Sequence, residues 1–549
     1  MHAESISVQS TSSNNEAPEM ENVSSKKREI TQKMGFFGAV SYIISNIVGS
    51  GIFIAPTPIL ENAKCPGLSI IVWVAGAIIS ILGSFCYIEL GTRIRSSGAD
   101  FAYLCYVKWY PVAFAFMCAG CVLNYPATIA IQAQTFSEYI IKGFKIQITS
   151  NTSSYFAKKL IGFSLVWLIM FLNFFSLKRF VSRFQIVASF AKILSTAIVI
   201  ITGFYFLIFK GETGSLSHPF EGNSATVGSL VLALYAGLFS YDGWDILNFG
   251  AEEIEKPKKT MPLAILFGML VVAVVYVATN ISYFVVLSVD QIRNSDAVAS
   301  EFAAKKLGNF QSAIPFLICV LLIGSLNSTI FAASRYLHAA AREGHLPLCI
   351  SCVNQKSDSP RVALFCSVIL SMGIAFIGSL DVLISYVSFT QWTQRLCTMC
   401  VLLWIRFKQI PTHPDSIRTP IVMPIVFFLI CFTLSVITIV ETVRVAGVGL
   451  GVLVAGFVLY FLFIYKRSLP SLKSFQKFSS CFNNSTTIFA QIVFNAMPDR
   501  CEQTDEREKM EKLQQTMRQQ QRVVVTPEIK DDNVRNMFRR NNKISDGKI

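Results

Sequence analysis

"VGSGIF" (Val48–Phe53) sits in the middle of the first long apolar stretch of this 549-residue chain. Two glycines and a serine, poor helix formers, occupy what hydropathy reads as the centre of a membrane helix. A second interruption, "FSYDGWD" (Phe239–Asp245), falls in another apolar stretch and adds two acids. In lipid every unsatisfied backbone group is costly, so a helix unwinds only where protein or water takes up the freed groups. The gain is chemical. An unwound point exposes amide N–H groups at a half-helix N-terminus, whose partial positive charge suits a carboxylate. Carbonyls freed at the other half-helix accept hydrogen bonds from an ammonium. One break can therefore hold a zwitterion. Taken alone, "GSG" reads first as a close-packing motif. Two breaks at matching positions of two halves point instead to an inverted-repeat transporter with its substrate at the midplane.

The composition around these breaks is that of a multi-span membrane protein. Apolar residues make up 52% of the chain and charged residues 15%. Runs of about 20 apolar residues recur, each long enough to cross a hydrocarbon core. A soluble reading would need one very large core without a charged surface. The opening stretch is polar, reads as disordered and carries no cleavable signal peptide before the first span. Most of the 14 cysteines fall in apolar stretches, where they act as small apolar fillers. "CAGC" (Cys118–Cys121) and "CTMC" (Cys397–Cys400) lie in spans without histidine partners, and "CISC" (Cys349–Cys352) lies in a loop beside His345. None makes a strong metal motif, and no cofactor is expected. No span carries a nucleophile–base pair, and the five histidines are scattered, so an enzyme is not expected.

Twelve candidate spans follow, at roughly 36–60, 67–91, 103–135, 157–176, 184–209, 226–249, 262–288, 310–338, 361–378, 382–405, 420–441 and 446–466. This divides the chain into an N-terminal tail (1–33), a transporter domain (34–466) and a C-terminal tail (467–549). Basic clusters before the first span and in alternate loops put both termini in the cytosol. Lys142, Lys145, Lys158, Lys159, Lys305 and Lys306 fall on the opposite side and weaken that bias without reversing it. Asn151 in "NTS" is then the glycosylation candidate best placed outside. In the C-terminal tail, Glu506–Arg522 reads as a solvated charged segment with transient helix. The terminal Ile549 is a weak signal for a PDZ partner.

Four ordered motifs carry a resemblance. "IVGSGIFIAP" with "ENA" (Ile47–Ala63) resembles the first helix of the L-type amino acid transporter family, the light-chain branch of the APC superfamily. "CYIELGTRIRSSGADFAYL" (Cys86–Leu104) looks like the segment joining its second and third helices. "GLFSYDGWDILNFGAEEI" followed by "MP" (Gly237–Ile254, Met261, Pro262) resembles its sixth helix and exit loop. "GSLNSTIFAASRYLHAAAREGHLP" (Gly324–Pro347) is similar to its eighth helix and the loop beyond. The resemblance covers roughly residues 34–466. It implies an all-α membrane protein of LeuT/APC type: 12 transmembrane helices, two inverted five-helix repeats plus two, with helices 1 and 6 broken. It implies membership without the usual heavy-chain-linking cysteine, because no cysteine lies between Cys121 and Cys319. A covalent heavy-chain glycoprotein is therefore not expected. Cys65 is the one outside cysteine near enough to consider, and a noncovalent partner stays open.

The resemblance also implies roles by position. Gly49, Ser50 and Gly51 would bind the substrate carboxylate. Carbonyls around Ile47, Phe239 and Ser240 would accept its α-ammonium, and Phe239 would be the aromatic gate. Lys192, an ionisable residue inside a span, is a functional candidate by default, with snorkelling as the plain alternative. The family places a lysine here where sodium-coupled relatives hold an ion, which implies sodium-independent transport. Many neutral-substrate members have glycine and asparagine where this chain has Asp242 and Asp245. A buried carboxylate needs a partner or a proton, and the side chain of arginine or lysine would supply one. The expectation is a sodium-independent amino acid exchanger in the plasma membrane, taking cationic as well as neutral L-amino acids. Two alternatives stand beside it. One is a neutral or aromatic substrate with both acids satisfied internally. The other is a transporter-like nutrient sensor or scaffold. Glu252 and Glu253 are expected to pair with lysines beyond the helix end.

Overall fold

The computed structural model describes residues 35–94, 99–147, 150–175, 178–222, 224–245, 257–354, 357, 359–410, 416–465 and 467–498. The N-terminal tail, Glu252, Glu253, the segment 506–522 and Ile549 lie outside them, as does the side chain of Asn151. In chain order the helices are α1 (Phe36–Ile47), α2 (Gly51–Ile54), α3 (Pro56–Ala63), α4 (Pro66–Arg93), α5 (Ala99–Tyr106), α6 (Tyr110–Ala119), α7 (Tyr125–Gly143), α8 (Asn151–Phe174), α9 (Lys178–Phe209), α10 (Val227–Ser240), α11 (Pro257–Val286), α12 (Val289–Arg293), α13 (Val298–Lys306), α14 (Ala313–Arg342), α15 (Arg361–Ile374), α16 (Leu380–Phe407), α17 (Val422–Glu441), α18 (Val443–Leu459) and α19 (Lys473–Phe494). The only sheet among the described residues is one antiparallel pairing of β1 (Cys352–Val353) with β2 (Met497–Pro498).

Nine helical stretches among the described residues are long and apolar enough to cross a membrane. Two shorter apolar helices, α10 and α15, and the 28-residue α16 overlap in sequence with the other three expected spans, and none of the three is among the nine. Large apolar side chains cover the outside of the bundle. Ile78, Phe171, Ile201 and Val274 are each more than half exposed, as a lipid-facing surface requires.

Two boundaries differ from the sequence reading. The third long helix begins at Tyr110, not near residue 103. Lys108 adopts a left-handed backbone (φ 64°) and stops α5, and Pro111 in the first turn of α6 starts a new helix. A π-helical turn, Gly120–Asn124, then joins α6 to α7. The residues beyond Arg467 do not all form an open tail, because α19 packs back onto the bundle.

Near one end of the bundle, Glu89 of α4 is fully buried and clamps three segments. It pairs with Arg93 at 2.9 Å and accepts from Arg406 Nε at 2.8 Å. It also accepts from the Thr419 amide at 3.0 Å and the Thr419 hydroxyl at 2.6 Å. A buried carboxylate with this many donors fixes α4 against the end of α16.

Candidate functional site: two apposed helix breaks

The first break opens after Ile47. Val48 is extended (φ −67°, ψ 92°), and the helix restarts at Gly51. The second follows Ser240, where residues 241–245 form turns and Gly243 takes φ +98°. Asp242 and Asp245 thus stand on turn backbone, not on one helical face. A side chain at Gly243 would be strained by its φ and would also meet Asn46 Nδ2 at 2.4 Å. That same Asn46 nitrogen donates to the Gly243 carbonyl at 2.8 Å.

The breaks touch. A Cβ at Gly51 would lie 2.7 Å from Ser240 Cα, so this backbone contact requires glycine. Ser240 Oγ lies 3.2 Å from the Gly51 carbonyl and 3.1 Å from the Ala236 carbonyl. Tyr276 of α11 joins the two breaks: its hydroxyl is 2.8 Å from the Ile47 carbonyl and 3.0 Å from the Ser240 carbonyl. One proton serves both acceptors. Trp73 and Tyr241 pack around Tyr276 with ring centroids 5.4 and 4.9 Å away.

Ile47, Ser50 and Ser240 are buried. Gly49 is less crowded, with the nearest atoms to a Cβ there at 3.7 and 3.9 Å. Gln132 of α7 reaches the first break, its Nε2 lying 3.5 Å from Ser50 Oγ and 3.3 Å from Ser325 Oγ of α14. Gln132 Oε1 is buried without a hydrogen-bond partner among the described residues. Phe239 is half-buried against the core, and its carbonyl accepts the Asp242 amide at 3.3 Å. Lys192 is buried in α9 and donates to the Ser45 carbonyl at 3.2 Å, one turn before the break.

The two acids have different surroundings. Asp242 forms an ion pair with Arg395 of α16, and Gln391 Nε2 lies 3.4 Å from its other oxygen. The Arg395 guanidinium is buried between Trp244 and Trp392, 4.9 and 4.8 Å from their ring centres. Its Nη1 has no hydrogen-bond partner among the described residues. Asp245 makes no ion pair among the described residues but lies in the field of Asp242, Arg395 and Asp100. Asp100 is held by Tyr87 at 2.5 Å and Thr398 at 2.7 Å.

The structure therefore gathers Ile47, Gly49, Ser50, Gly51, Phe239 and Ser240 at one junction. Lys192 stands beside it and Asp242 and Asp245 beyond it. Asn151 begins α8. Sequence reasoning missed Tyr276, Gln132, Ser325, Arg395 and Asp100. Arg395 had a usable signal, because a charge inside an apolar span is the same mark that singled out Lys192. Tyr276 had none, being one aromatic residue in an apolar run.

Comparison with known proteins agrees with this architecture. Residues 34–465 match the amino acid permease family. The chain is 55% identical over 470 residues to amino acid transporter protein 6 of Caenorhabditis elegans, covering 86% of this chain and 90% of that one. It is 32% identical to the human cystine/glutamate transporter, covering 86% and 92%. It is also 32% identical to the mouse b(0,+)-type amino acid transporter 1, covering 80% and 90%. The chain is an amino acid transporter of the membrane and belongs to the amino acid permease family.

Proposed function

We propose that this transporter is a sodium-independent exchanger of L-amino acids working by alternating access. The observation that carries the reading is the junction of the two breaks, where the Ile47 and Ser240 carbonyls converge on one tyrosine hydroxyl. Those carbonyls suit an α-ammonium, and the Gly49–Gly51 amides suit the α-carboxylate. Phe239 covers the substrate as a gate. Lys192 stands in for an ion, its ammonium on a carbonyl next to the break. Twelve spans in two inverted five-helix repeats plus two supply the rocking elements. Both termini are cytosolic, the membrane is the plasma membrane, and Asn151 carries the outside glycan. Cys65 is fully buried, which supports a chain without a covalent heavy-chain partner. A noncovalent partner, and a PDZ partner at Ile549, fit the same scheme.

The substrate range includes cationic as well as neutral amino acids. Two acids near the second break face one buried guanidinium, which leaves an acid for a substrate's cation. Since Arg395 already holds Asp242, that acid is Asp245. The Asp242–Arg395 pair also favours a second reading, in which both acids are structural and the substrates are neutral or aromatic.

Uptake of labelled arginine, leucine, phenylalanine, cystine and glutamate by cells expressing the chain alone tests both, with sodium present or replaced. Sodium-independent arginine uptake lost in Asp245→Asn supports the first reading. Leucine or phenylalanine uptake without arginine selects the second. Surface-labelled chain that moves none of them brings forward a missing partner or the sensor reading.

A further inference from the structure

The transport reading leaves α19 without a task. Its sequence, "KSFQKFSSCFNNSTTIFAQIVF", contains no acid. At 100° per residue it has three faces. One packs on the protein. Thr487 and Ala490 are buried, and Asn483 Oδ1 accepts the Leu348 amide at 3.3 Å. At its end, Arg361 donates to the Phe494 carbonyl at 2.9 Å, and Asn354 donates to the Asn495 carbonyl at 2.6 Å. Asn495 turns the chain left-handed, and β2 then pairs with β1.

The second face is an apolar stripe. Phe478, Phe482, Phe489 and Ile492 follow one another at helical spacing and are 66%, 45%, 61% and 78% exposed. The third face is polar and bears Lys473 and Lys477 beside the stripe. The stripe has a definite neighbour. The helix starts nine residues after Ile464, where the last membrane-length helical run closes its π turn. It also rests on the segment that links α14 to α15, at the end of the bundle where that last helical run stops.

We infer that α19 lies in the headgroup–acyl boundary and binds an anionic lipid surface. The phenylalanines enter the acyl region, and Lys473 and Lys477 meet the headgroups. Its other face holds the β1 segment between α14 and α15, so the lipid surface is linked to a loop of the transport bundle.

The test uses the full chain in nanodiscs of phosphatidylcholine alone or with phosphatidylserine added, read by amide hydrogen exchange over 473–494. Exchange there is expected to slow by about 30-fold in the anionic discs, the scale of two lysines at a charged surface. Lys473→Glu with Lys477→Glu removes that difference and leaves exchange in α4 and α14 unchanged. Phe482→Ser with Phe489→Ser speeds exchange in both lipids. Equal exchange in the two lipids, at the rate of a water-exposed helix, overturns the inference and leaves the stripe to a protein partner. Equal and slow exchange that survives the lysine variant overturns the anionic preference.

Discussion

The hydroxyl of Tyr276 stands 2.8 Å from the Ile47 carbonyl and 3.0 Å from the Ser240 carbonyl, so one side chain ties the two helix breaks together. These are the same carbonyls that suit a substrate ammonium. Tyr276 and substrate therefore address one pair of acceptors. In Tyr276→Phe both carbonyls lose their donor in the empty carrier, at a cost of about 1–3 kcal/mol for unsatisfied buried groups. A bound ammonium restores it. The variant is expected to be less heat-stable when empty, to gain more stability from substrate than wild type, and to show a lower KM. Thermal unfolding with and without substrate, beside uptake kinetics, checks this. A raised KM with unchanged stability would mean that the tyrosine itself binds substrate.

The two glycines of the first break separate folding from binding. A methyl at Gly51 meets the backbone of Ser240 at 2.7 Å, and neither backbone can move without opening the junction. Gly51→Ala is expected to lose about 1–3 kcal/mol, the range of overpacking, and to reach the surface poorly. At Gly49 the same methyl finds its nearest atoms at 3.7 and 3.9 Å. Gly49→Ala should fold and reach the surface normally but fill the space of a carboxylate, so uptake falls by at least about tenfold, or 1.4 kcal/mol. Surface biotinylation beside uptake distinguishes the two. Equal surface loss in both variants would remove Gly49 from the substrate site.

The sequence made the breaks legible because weak helix formers in a long apolar run have few other uses. Gly49, Gly51 and Gly243 announce irregular backbone through their composition alone. The partners of that backbone were not legible. Tyr276 lies 36 residues beyond Ser240, and only the packing of α11 against α1 brings its hydroxyl to Ile47. Arg395 lies 153 positions from Asp242, and nothing local to either residue links them. The start of the third long helix was misjudged because hydropathy is continuous through Lys108, whereas a left-handed residue and Pro111 decide the boundary. The C-terminal helix was hidden by its polar third face, which lowers its mean hydropathy while leaving a full apolar stripe.

Lys192 makes a sharper claim about ions. Its amine is buried and donates to the Ser45 carbonyl at 3.2 Å, so when protonated it sets a positive charge next to the first break. A second cation there would face that charge at short range and low dielectric. Uptake by wild type should be unchanged when choline replaces sodium. Lys192→Met keeps most of the side-chain volume but leaves the Ser45 carbonyl without its donor. It should reach the surface and lose transport by at least about tenfold, the effect of roughly 1.4 kcal/mol. Parallel uptake in sodium and choline media, normalised to surface protein, provides the check. Sodium-stimulated uptake by wild type would refute the ion-substitute role.

Arg395 and Asp242 permit a double-mutant cycle that separates charge balance from substrate recognition. Arg395 is buried between two indoles, while the Asp242 side chain is about a third exposed. Removing the arginine alone strands an acid near the break and costs about 3 kcal/mol, the low end for a broken buried pair. Removing the acid alone takes from the buried guanidinium its ion-pair partner among the described residues and costs a similar amount. Arg395→Met with Asp242→Asn removes both charges, so the double variant should recover most of the stability lost by either single change. Its transport then reports on Asp245. If Asp245 is the acid that meets a cationic side chain, the double variant keeps arginine uptake, and Asp245→Asn abolishes arginine uptake while sparing leucine. If instead the double variant loses arginine and keeps leucine, Asp242 contacts substrate despite its arginine, and the assignment of the two acids is reversed.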